Sequence, residues 1–215
     1  MSIWAWKRFF CLTVPAFFNI VATMKTEIST NLTQSIMAKQ AFVEASSDRI
    51  IQLVEWTIET FRSGGKLLIF GNGGSAADAQ HVAAEFVNRF KIDRRPLPAI
   101  ALTTDTSVLT SIGNDFSFDM IFVKQVQALG KPGDLVLGIS TSGNSPNVVK
   151  AIAAAKEMNI RTAALTGGSS NTGGEIGGLA DLVLNVPTDS TAHIQETHLW
   201  VEHILCELVE KELFS

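Results

Sequence analysis

Residues 134–158 read DLVLGISTSGNSPNVVKAIAAAKEM, and this stretch contains the pattern that decides the fold. An apolar run, Asp134–Ile139, is followed by a loop rich in hydroxyl groups and then by a segment with helical spacing, Pro146–Met158. The run is too continuously apolar to have a face in water, which indicates a parallel strand covered on both sides. One strand–loop–helix unit of a parallel sheet is therefore predicted here.

Further apolar runs of the same kind occur along the chain, with helical patterns between them. The five predicted strands are Lys66–Phe70, Pro98–Leu102, Asp134–Ile139, Arg161–Leu165 and Leu182–Val186. The predicted helices are Ala76–Phe90, Phe118–Leu129 and Pro146–Met158, with a long last helix at about His193–Leu213. No long linker or internal repeat interrupts this alternation. We therefore predict one doubly wound, three-layer α/β/α domain with a five-stranded parallel sheet.

Upstream of the first strand, apolar residues recur at helical spacing from Asn31 to Phe61. Ser46–Ser47–Asp48 interrupts this pattern and offers an N-cap, which predicts that a second helix starts there. Ser63–Gly64–Gly65 predicts the end of that helix, because glycine is the usual residue after a helix C-terminus.

Composition excludes several classes of protein. The 215 residues include 17 Lys and Arg against 21 Asp and Glu, a formal charge of −4, so a general nucleic-acid-binding surface is not expected. A chain that is 46% hydrophobic is not intrinsically disordered. Cys11 and Cys206 form neither a disulfide framework nor a thiolate zinc site, and a reducing cytoplasm is the simplest compartment.

The first residues are far more apolar than the rest. The run Phe9–Ala22 has 14 residues, against roughly 20 for a membrane span, so a spanning helix is not expected. Its basic start gives it the form of a secretory signal. The alternative, which we favour, is that residues 1–23 are an extension upstream of a start at Met24 and that residues 24–215 form the single domain.

The hydroxyl-rich loop predicts a phosphate site. Pro146 is typical of the first helical position, which makes Ser145 the expected N-cap. The amides and partial positive charge of a helix start attract anions. Ser140, Thr141 and Ser142 add hydroxyl donors without a cation, which suits a phosphate monoester. A loop that merely caps its helix is the alternative.

Two glycine-rich loops follow other strands. Gly71–Ala76 partly matches the dinucleotide-binding fingerprint, because it follows a strand and opens a helix. The acidic residue that should follow about 20 residues later is missing, so a nucleotide-dependent enzyme is the weaker alternative. We expect instead that this loop lets a substrate approach the backbone amides. Thr166–Gly174 has no charged side chain and is predicted to be a turn.

Two helices offer metal ligands. His81 and Glu85 are spaced i, i+4 and share one helix face. Gln195 and His203 are eight residues apart, or about 80° around the helix axis, and can also share a face. Such a nitrogen and oxygen set suits Zn²⁺ or a similar divalent ion, although each pair alone is more typical of a solvated helix. Glu202 is expected on the solvated or subunit-facing side.

Four segments closely resemble the phosphoheptose isomerases of the sugar isomerase (SIS) fold, and they follow in the family's order. They are GNGGSAADAQHVAAEF (71–86), IGNDFSF (112–118), GISTSGNSPNVVKAI (138–152) and IQETHLWVEHI (194–204), within a resemblance that extends from about residue 28 to 214. The resemblance implies isomerisation of sedoheptulose 7-phosphate to D-glycero-D-manno-heptose 7-phosphate. This reaction begins the synthesis of the activated heptose of bacterial surface polysaccharide.

The resemblance also implies a set of site residues. It implies one zinc per subunit, held by His81, Glu85, Gln195 and His203. It implies that substrate is contacted by Asn72, Gly73, Gly74, Glu85, Asn114, Asp115, Ser140, Thr141, Ser142, Ser145 and Gln195. Family members are cytoplasmic homotetramers with active sites between subunits, and no nucleic-acid or membrane partner is expected.

An aldose–ketose shift needs a base near C1 and C2 and an acid at the carbonyl oxygen. Glu85 is the candidate base and His203 the candidate acid, while a metal could stabilise the enediolate oxygens. A related protein of the same fold binds the replication initiator DnaA, and this chain is similar to it through Pro96–Leu102. The presence of both Glu85 and His203 favours the enzyme over this non-catalytic alternative.

Overall fold

The computed structural model describes the backbone of residues 14–215 and the side chains of residues 20–215. The strands are β1 (Leu67–Gly71), β2 (Ala99–Ala101), β3 (Leu135–Ile139), β4 (Arg161–Gly167) and β5 (Leu182–Val186). The helices are α1 (Val14–Arg62), α2 (Gly74–Val87), α3 (Thr106–Asp115), α4 (Ile121–Leu129), α5 (Pro146–Glu157), α6 (Gly174–Gly177) and α7 (Thr191–Phe214). A 3₁₀ turn, Phe118–Met120, leads into α4.

The five strands form one parallel sheet in the order β2-β1-β3-β4-β5, which confirms the predicted fold class. Alternate side chains of β1 enter different cores. Leu67 and Ile69 pack with the C-terminal half of α1, with α2 and with α7. Leu68 and Phe70 pack with α4 and α5 on the opposite face. The edge strand β2 is less completely covered than the others, because Ile100 is 38% exposed.

Two compact units make up the chain, Met1–Met37 and Ala38–Ser215. In the first unit the structure describes helical backbone from Val14 onward. The second unit contains the whole sheet and both cores. The signal-like interpretation rests largely on residues 1–13, which lie outside the described residues, and the boundary at Met24 stays a prediction. Within residues 14–215, no helix reaches the length and apolar character that a membrane span requires.

The predicted break at Ser46–Ser47–Asp48 is wrong, since α1 is one continuous helix of 49 residues. The Ser47 hydroxyl donates to the carbonyl oxygen of Val43 at 2.6 Å, so it is satisfied inside the helix instead of capping a new one. The predicted end is confirmed: Gly64 has a φ of 77° and the amide of Gly65 donates to the carbonyl oxygen of Thr60.

The sequence patterns missed two short helices. Helix α3 has no fully buried residue, and only Leu109 and Ile112 pack partly against the core, so its apolar face is short. Its start is set by Asp105, whose side chain accepts a hydrogen bond from the N–H of Val108 at 3.0 Å. Helix α6 begins at the end of the glycine-rich loop Thr166–Gly174, where the sequence predicted only a turn.

The order of the strands reverses at β1. Strand β2 pairs with one side of β1 and β3 with the other. In open α/β sheets, ligands bind at the carboxyl ends of the strands beside such a switch point. The loop after β1 and the loop after β3 therefore flank one crevice. Helices α2 and α5 begin in these two loops, so both present N-terminal amides at the same edge of the sheet.

Gly71, the last residue of β1, has no room for a side chain. A Cβ placed there would lie 2.7 Å from the carbonyl oxygen of Ile139 and 2.7 Å from the Cβ of Ser75. We expect Gly71→Ala to lower the free energy of unfolding by about 1–3 kcal/mol, because the sheet and the start of α2 must move apart. Urea unfolding followed by circular dichroism measures the change.

Gly113→Ala is the matched control, because Gly113 lies inside α3 and nothing stands within 4 Å of its added Cβ. We expect this change to leave the free energy of unfolding unchanged or to raise it by up to about 1 kcal/mol. Equal effects of the two substitutions would contradict the packing argument.

Candidate active site

The glycine loop after β1 and the hydroxyl loop after β3 are held together by two amide side chains. Asn72 Nδ2 donates to Asn147 Oδ1 at 2.9 Å, and Asn147 Nδ2 donates back to Asn72 Oδ1 at 2.8 Å. Asn147 is 2% exposed, and its Oδ1 also accepts from the N–H of Val148. No sequence pattern singled out Asn147, although it lies in the first turn of α5. This reciprocal pair fixes the position of Asn72, one of the predicted substrate contacts.

The hydroxyl loop has the geometry that the sequence predicted. Ser145 occupies the N-cap position of α5 with φ −66° and ψ 115°, and Pro146 follows in the first turn. The Ser145 side chain makes no capping bond; its Oγ lies 3.0 Å from Oγ of Ser140 instead. Thr141 is half-buried and Ser142 is exposed. The loop thus combines hydroxyl donors with a helix N-terminus, which is suitable for a phosphate group.

Helix α6, which follows the glycine-rich loop Thr166–Gly174, supports the hydroxyl loop. The N–H of Glu175 donates to Asn144 Oδ1 at 2.8 Å, and the N–H of Ile176 donates to the carbonyl oxygen of Gly143 at 3.0 Å. Gly143 has a φ of 67°, and an added Cβ would collide with the carbonyl group of Gly173. The prediction of a simple turn therefore missed a supporting role, which depends on contacts between segments distant in sequence.

Helices α2 and α7 bring three of the four predicted ligands together, and they place the fourth, Gln195, against the start of α2. Both helices pack on the same face of the sheet. His81 Nε2 lies 2.9 Å from His203 Nε2 and 3.7 Å from Glu85 Oε1. Gln195 lies against the glycine loop, since a Cβ added to Gly74 would stand 2.5 Å from its Nε2. Residues predicted separately on two helices therefore form one cluster.

The cluster has the donor types that suit a zinc ion, but its side chains are not yet arranged as a metal site. In a tetrahedral site with bonds of about 2.0–2.1 Å, neighbouring ligand atoms lie roughly 3.3 Å apart. The two distances from His81 Nε2, 2.9 Å and 3.7 Å, lie on either side of that value. In the part of the chain that the structure describes, no three His, Cys, Asp or Glu side chains already have a metal-site arrangement. Side-chain rotation would therefore have to complete the site.

The cluster is open to solvent on one side and covered by an aromatic ring on another. The side chain of His81 is 40% exposed and that of Glu85 is 22% exposed. The ring of Phe90 packs against the imidazole of His203 with 5.6 Å between centroids and 23° between planes. A small molecule can therefore reach Glu85, while one face of the His203 ring is held by an apolar contact.

Two carboxyl groups lie behind the histidines, and the sequence placed one of them wrongly. Glu202 was expected on a solvated or subunit-facing side but is 1% exposed within the single chain, and neither of its carboxyl oxygens has a hydrogen-bond partner. Burial raises the pKa of Glu202 to about 8, and the charge of Asp78 acts in the same direction. Burial also raises the pKa of Asp78, although the neighbouring His81 opposes this. Burial therefore disfavours the charged forms of both carboxyl groups, Asp78 and Glu202.

Asn114 and Asp115 lie at the C-terminal end of α3 and are exposed. Asn114 Nδ2 donates to Asp115 Oδ1 at 2.8 Å. Among the described residues, no hydrogen bond joins either side chain to the glycine loop or the hydroxyl loop. The single chain therefore joins the two loops to each other and brings His81, Glu85 and His203 together, but it leaves these two predicted substrate contacts on its surface.

Comparison with known proteins agrees with this geometry. The family model of the SIS domain matches residues 32–167. A phosphoheptose isomerase of Roseiflexus sp. (strain RS-1) is 53% identical over 181 residues, covering 84% of this chain and 90% of the relative. The structure of the phosphoheptose isomerase GmhA from Neisseria gonorrhoeae superposes with a TM-score of 0.82 at 44% identity, covering 87% of this chain and 99% of that one. The structure of a phosphoheptose isomerase from Francisella tularensis superposes with a TM-score of 0.83 at 38% identity, covering 87% of this chain and 98% of that one.

The fold and the matched segment define a SIS-domain protein. At this level of identity and coverage, the chain belongs to the phosphoheptose isomerase family within that class. These relatives give no support to the alternative of a protein that binds DnaA.

Asn147→Asp tests the amide pair, because it keeps the acceptor for Asn72 Nδ2 but replaces the donor to Asn72 Oδ1 by an oxygen. We expect the free energy of unfolding to fall by about 1–3 kcal/mol, since a buried acceptor loses its partner. We also expect weaker binding of inorganic phosphate, because a negative charge is added between the two loops. Urea unfolding and isothermal titration calorimetry measure the two effects.

Asn159→Asp is the matched control, since it makes the same change at an exposed position just beyond α5, with a φ of 57°. This variant should bind phosphate as the parent protein does. Undiminished phosphate binding by Asn147→Asp would contradict the role assigned to the pair.

Glu202 also predicts a pH dependence of stability. Its pKa of about 8 in the folded protein lies above the ordinary value of 4.5, so the folded state binds more protons between these values. The free energy of unfolding should therefore fall as the pH rises through this window. Burial lowers the pKa of His198 to about 4, although its hydrogen bond with the carbonyl oxygen of Thr166 opposes this shift. His198 therefore lowers the free energy of unfolding only when the pH falls below 6.5, its ordinary pKa.

Between pH 6.5 and 8 the Glu202 effect should dominate, with a fall of up to about 2 kcal/mol in the free energy of unfolding. Urea unfolding of the protein in chelator at several pH values measures it. Glu202→Gln should flatten this slope, whereas the control Glu207→Gln, at a partly exposed position on the same helix, should retain it. If the Glu202→Gln variant kept the pH slope of the parent protein, the slope could not be assigned to Glu202.

Proposed function

We propose that the protein interconverts sedoheptulose 7-phosphate and D-glycero-D-manno-heptose 7-phosphate, an aldose–ketose isomerisation that passes through an enediol. The observation that carries this proposal is the meeting of His81, Glu85 and His203 on α2 and α7, together with a hydroxyl-rich loop suited to phosphate at the start of α5. The names of the relatives, all phosphoheptose isomerases, support the choice of substrate. In bacteria this reaction supplies heptose for the precursors of lipopolysaccharide.

The hydroxyl loop binds the phosphate end of the sugar. Ser140, Thr141, Ser142 and Ser145 donate hydroxyl hydrogen bonds, and the N-terminus of α5 contributes its partial positive charge. Asn72 and the amides of Gly73 and Gly74 contact the sugar at the start of α2. With the phosphate held at one loop, C1 and C2 of the sugar are directed to the cluster on α2 and α7.

Glu85 and His203 perform the proton transfers. The Glu85 carboxylate removes a proton from C1 of the ketose, while His203 in its protonated form donates to the carbonyl oxygen at C2. The enediol then collapses: Glu85 returns a proton to C2, and the hydroxyl at C1 gives its proton to His203 as the aldehyde forms. Each group ends the cycle in its starting protonation state.

Zinc, one per subunit, is the proposed cofactor, with His81, Glu85, Gln195 and His203 as its ligands. The support is the donor set and its spacing. When bound, the metal would polarise the carbonyl and stabilise negative charge on the enediolate oxygens. A carboxylate bound to a metal is a weaker base, and an imidazole bound through one nitrogen cannot hold a proton on that nitrogen. Glu85 and His203 would therefore act as base and acid only when they are not bound to the metal.

We further propose a cytoplasmic homotetramer with active sites between subunits. The exposed positions of Asn114 and Asp115 support this arrangement, because a site that needs them could receive them from a neighbouring copy. Exposed apolar side chains on α1 and α7, among them Ile51 and Leu208, are also suited to contact with another subunit.

Glu85→Gln tests the proposed function most simply. We expect a folded protein with at least a hundredfold lower turnover of sedoheptulose 7-phosphate, because an amide cannot remove the proton from C1. Turnover is followed by NMR with zinc-loaded protein, and chelation of the parent protein should also reduce it. Glu157→Gln, an exposed change on α5, is the control and should keep full activity.

Near-parental turnover by Glu85→Gln would show that Glu85 is not the base. Absence of turnover by the zinc-loaded parent protein would sink the isomerase assignment itself and would favour a binding role for the fold.

A further inference from the structure

A buried ion pair joins the end of α2 to α7. Arg94 Nε lies 3.0 Å from Glu210 Oε1, and the two side chains are only 2% and 1% exposed. Arg94 lies in the segment that follows α2, and Glu210 lies on α7 seven residues after His203. Seven residues are close to two helical turns, so Glu210 and His203 lie on the same side of α7, about 10 Å apart along its axis.

The guanidinium of Arg94 is bound to the end of the helix that carries Glu85. Its Nη2 donates to the carbonyl oxygen of Glu85 at 2.9 Å, and its Nη1 donates to those of Phe86 at 2.7 Å and Asn88 at 3.2 Å. The last carbonyl groups of a helix have no partner within the helix, and a cation at this end also compensates the helix dipole. Arg94 therefore fixes the backbone from which the Glu85 side chain projects.

The carboxylate of Glu210 holds the segment that covers His203. It accepts hydrogen bonds from three consecutive backbone N–H groups, those of Phe90 at 3.0 Å, Lys91 at 2.6 Å and Ile92 at 2.9 Å. Burial acts to raise the pKa of Glu210, but these donors and Arg94 outweigh it and hold the pKa below its ordinary value. The ring of Phe90, fixed in this way, packs against the imidazole of His203.

We infer that the Arg94–Glu210 pair positions both proton-transfer groups, Glu85 through its carbonyl oxygen and His203 through Phe90. This inference rests on the proposed isomerase function. Both side chains are occupied by bonds to the protein, so they are positioning residues and not catalytic ones. Stability alone does not account for such a pair, because well-packed apolar residues can often replace a buried ion pair without loss. Its hydrogen bonds instead end on the backbone of Glu85 and on the segment whose Phe90 ring covers His203.

Arg94→Lys tests the inference, because it keeps the charge but loses the planar fork that reaches three carbonyl groups. We expect kcat for the sugar phosphate to fall at least tenfold while KM stays within threefold, since the hydroxyl loop that binds the phosphate lies on other elements. The matched control is Arg62→Lys. Arg62 lies at the end of α1 and forms an exposed ion pair with Glu212, which lies on α7 as Glu210 does. The control should keep kcat within twofold of the parent protein.

A second measurement is independent of turnover. In histidine-labelled protein treated with chelator, the ring current of Phe90 shifts the ring-proton resonances of His203, which the variant His203→Gln identifies. Arg94→Lys should move these resonances, and Arg62→Lys should not. If the parent protein shows no turnover, the proposed function fails, but these resonances still test the positioning of His203.

Thermal unfolding is measured for every variant, and if Arg94→Lys does not fold, Glu210→Gln takes its place, since it keeps the volume and one acceptor oxygen. A kcat within twofold of the parent protein would overturn the inference. So would equal loss through kcat and KM, which indicates general disruption of the site. A fall in kcat with unmoved His203 resonances would overturn the contribution through Phe90.

Discussion

The packing of α2 beside α7 on one face of the sheet is the constraint on which the site depends. Helix α2 follows β1 at the switch point, and α7 follows the edge strand β5, yet Val82 and Phe86 of α2 share a core with Val201 and Leu205 of α7. This packing brings His81 and His203, 122 positions apart in sequence, to a distance of 2.9 Å. The hydroxyl loop, by contrast, is fixed by the opposite layer, because it begins α5. The crevice between the two loops therefore receives parts from both layers.

The two ends of this crevice differ in their electrostatics. The phosphate end consists of hydroxyl groups, amides and a helix N-terminus, all neutral donors that keep the same charge at any working pH. The reaction end contains titratable side chains, with the buried Glu202 and the half-buried Asp78 behind them. In the proposed mode of binding the phosphate is held without a cation, so no positive charge at that end would compete for the Glu85 carboxylate. Binding and proton transfer can thus be altered separately by substitution.

Most of the architecture could be predicted from the sequence, because continuous apolar runs and glycine-rich loops are local signals. Strand β5 was predicted to the residue, as Leu182–Val186. The break at Ser47 was wrong because a hydroxyl can bond within a helix as well as cap one. Helix α3 was missed because none of its residues is buried. These errors come from local patterns that fit two structures equally well.

The sequence predicts candidate site residues but gives no signal for the residues that support them. Spacing placed His81 with Glu85 and Gln195 with His203, but only the packing of the two helices makes them one cluster. Glu202 was misplaced because α7 buries residues on most of its circumference, so periodicity does not identify its solvent side. Asn147 pairs with Asn72, 75 residues away, and Arg94 pairs with Glu210, 116 residues away; one sequence carries no signal for such pairs.

The proposed function requires the cluster on α2 and α7 to move a proton between C1 and C2 of a heptose phosphate. The most direct measurement incubates the zinc-loaded protein with sedoheptulose 7-phosphate in D₂O and follows the sugar by NMR. We expect an aldose 7-phosphate that carries solvent deuterium at C2, because an enediol is protonated there by a group that exchanges with water. Recovery of the ketose with its C1 protons intact and no aldose would exclude this proton transfer.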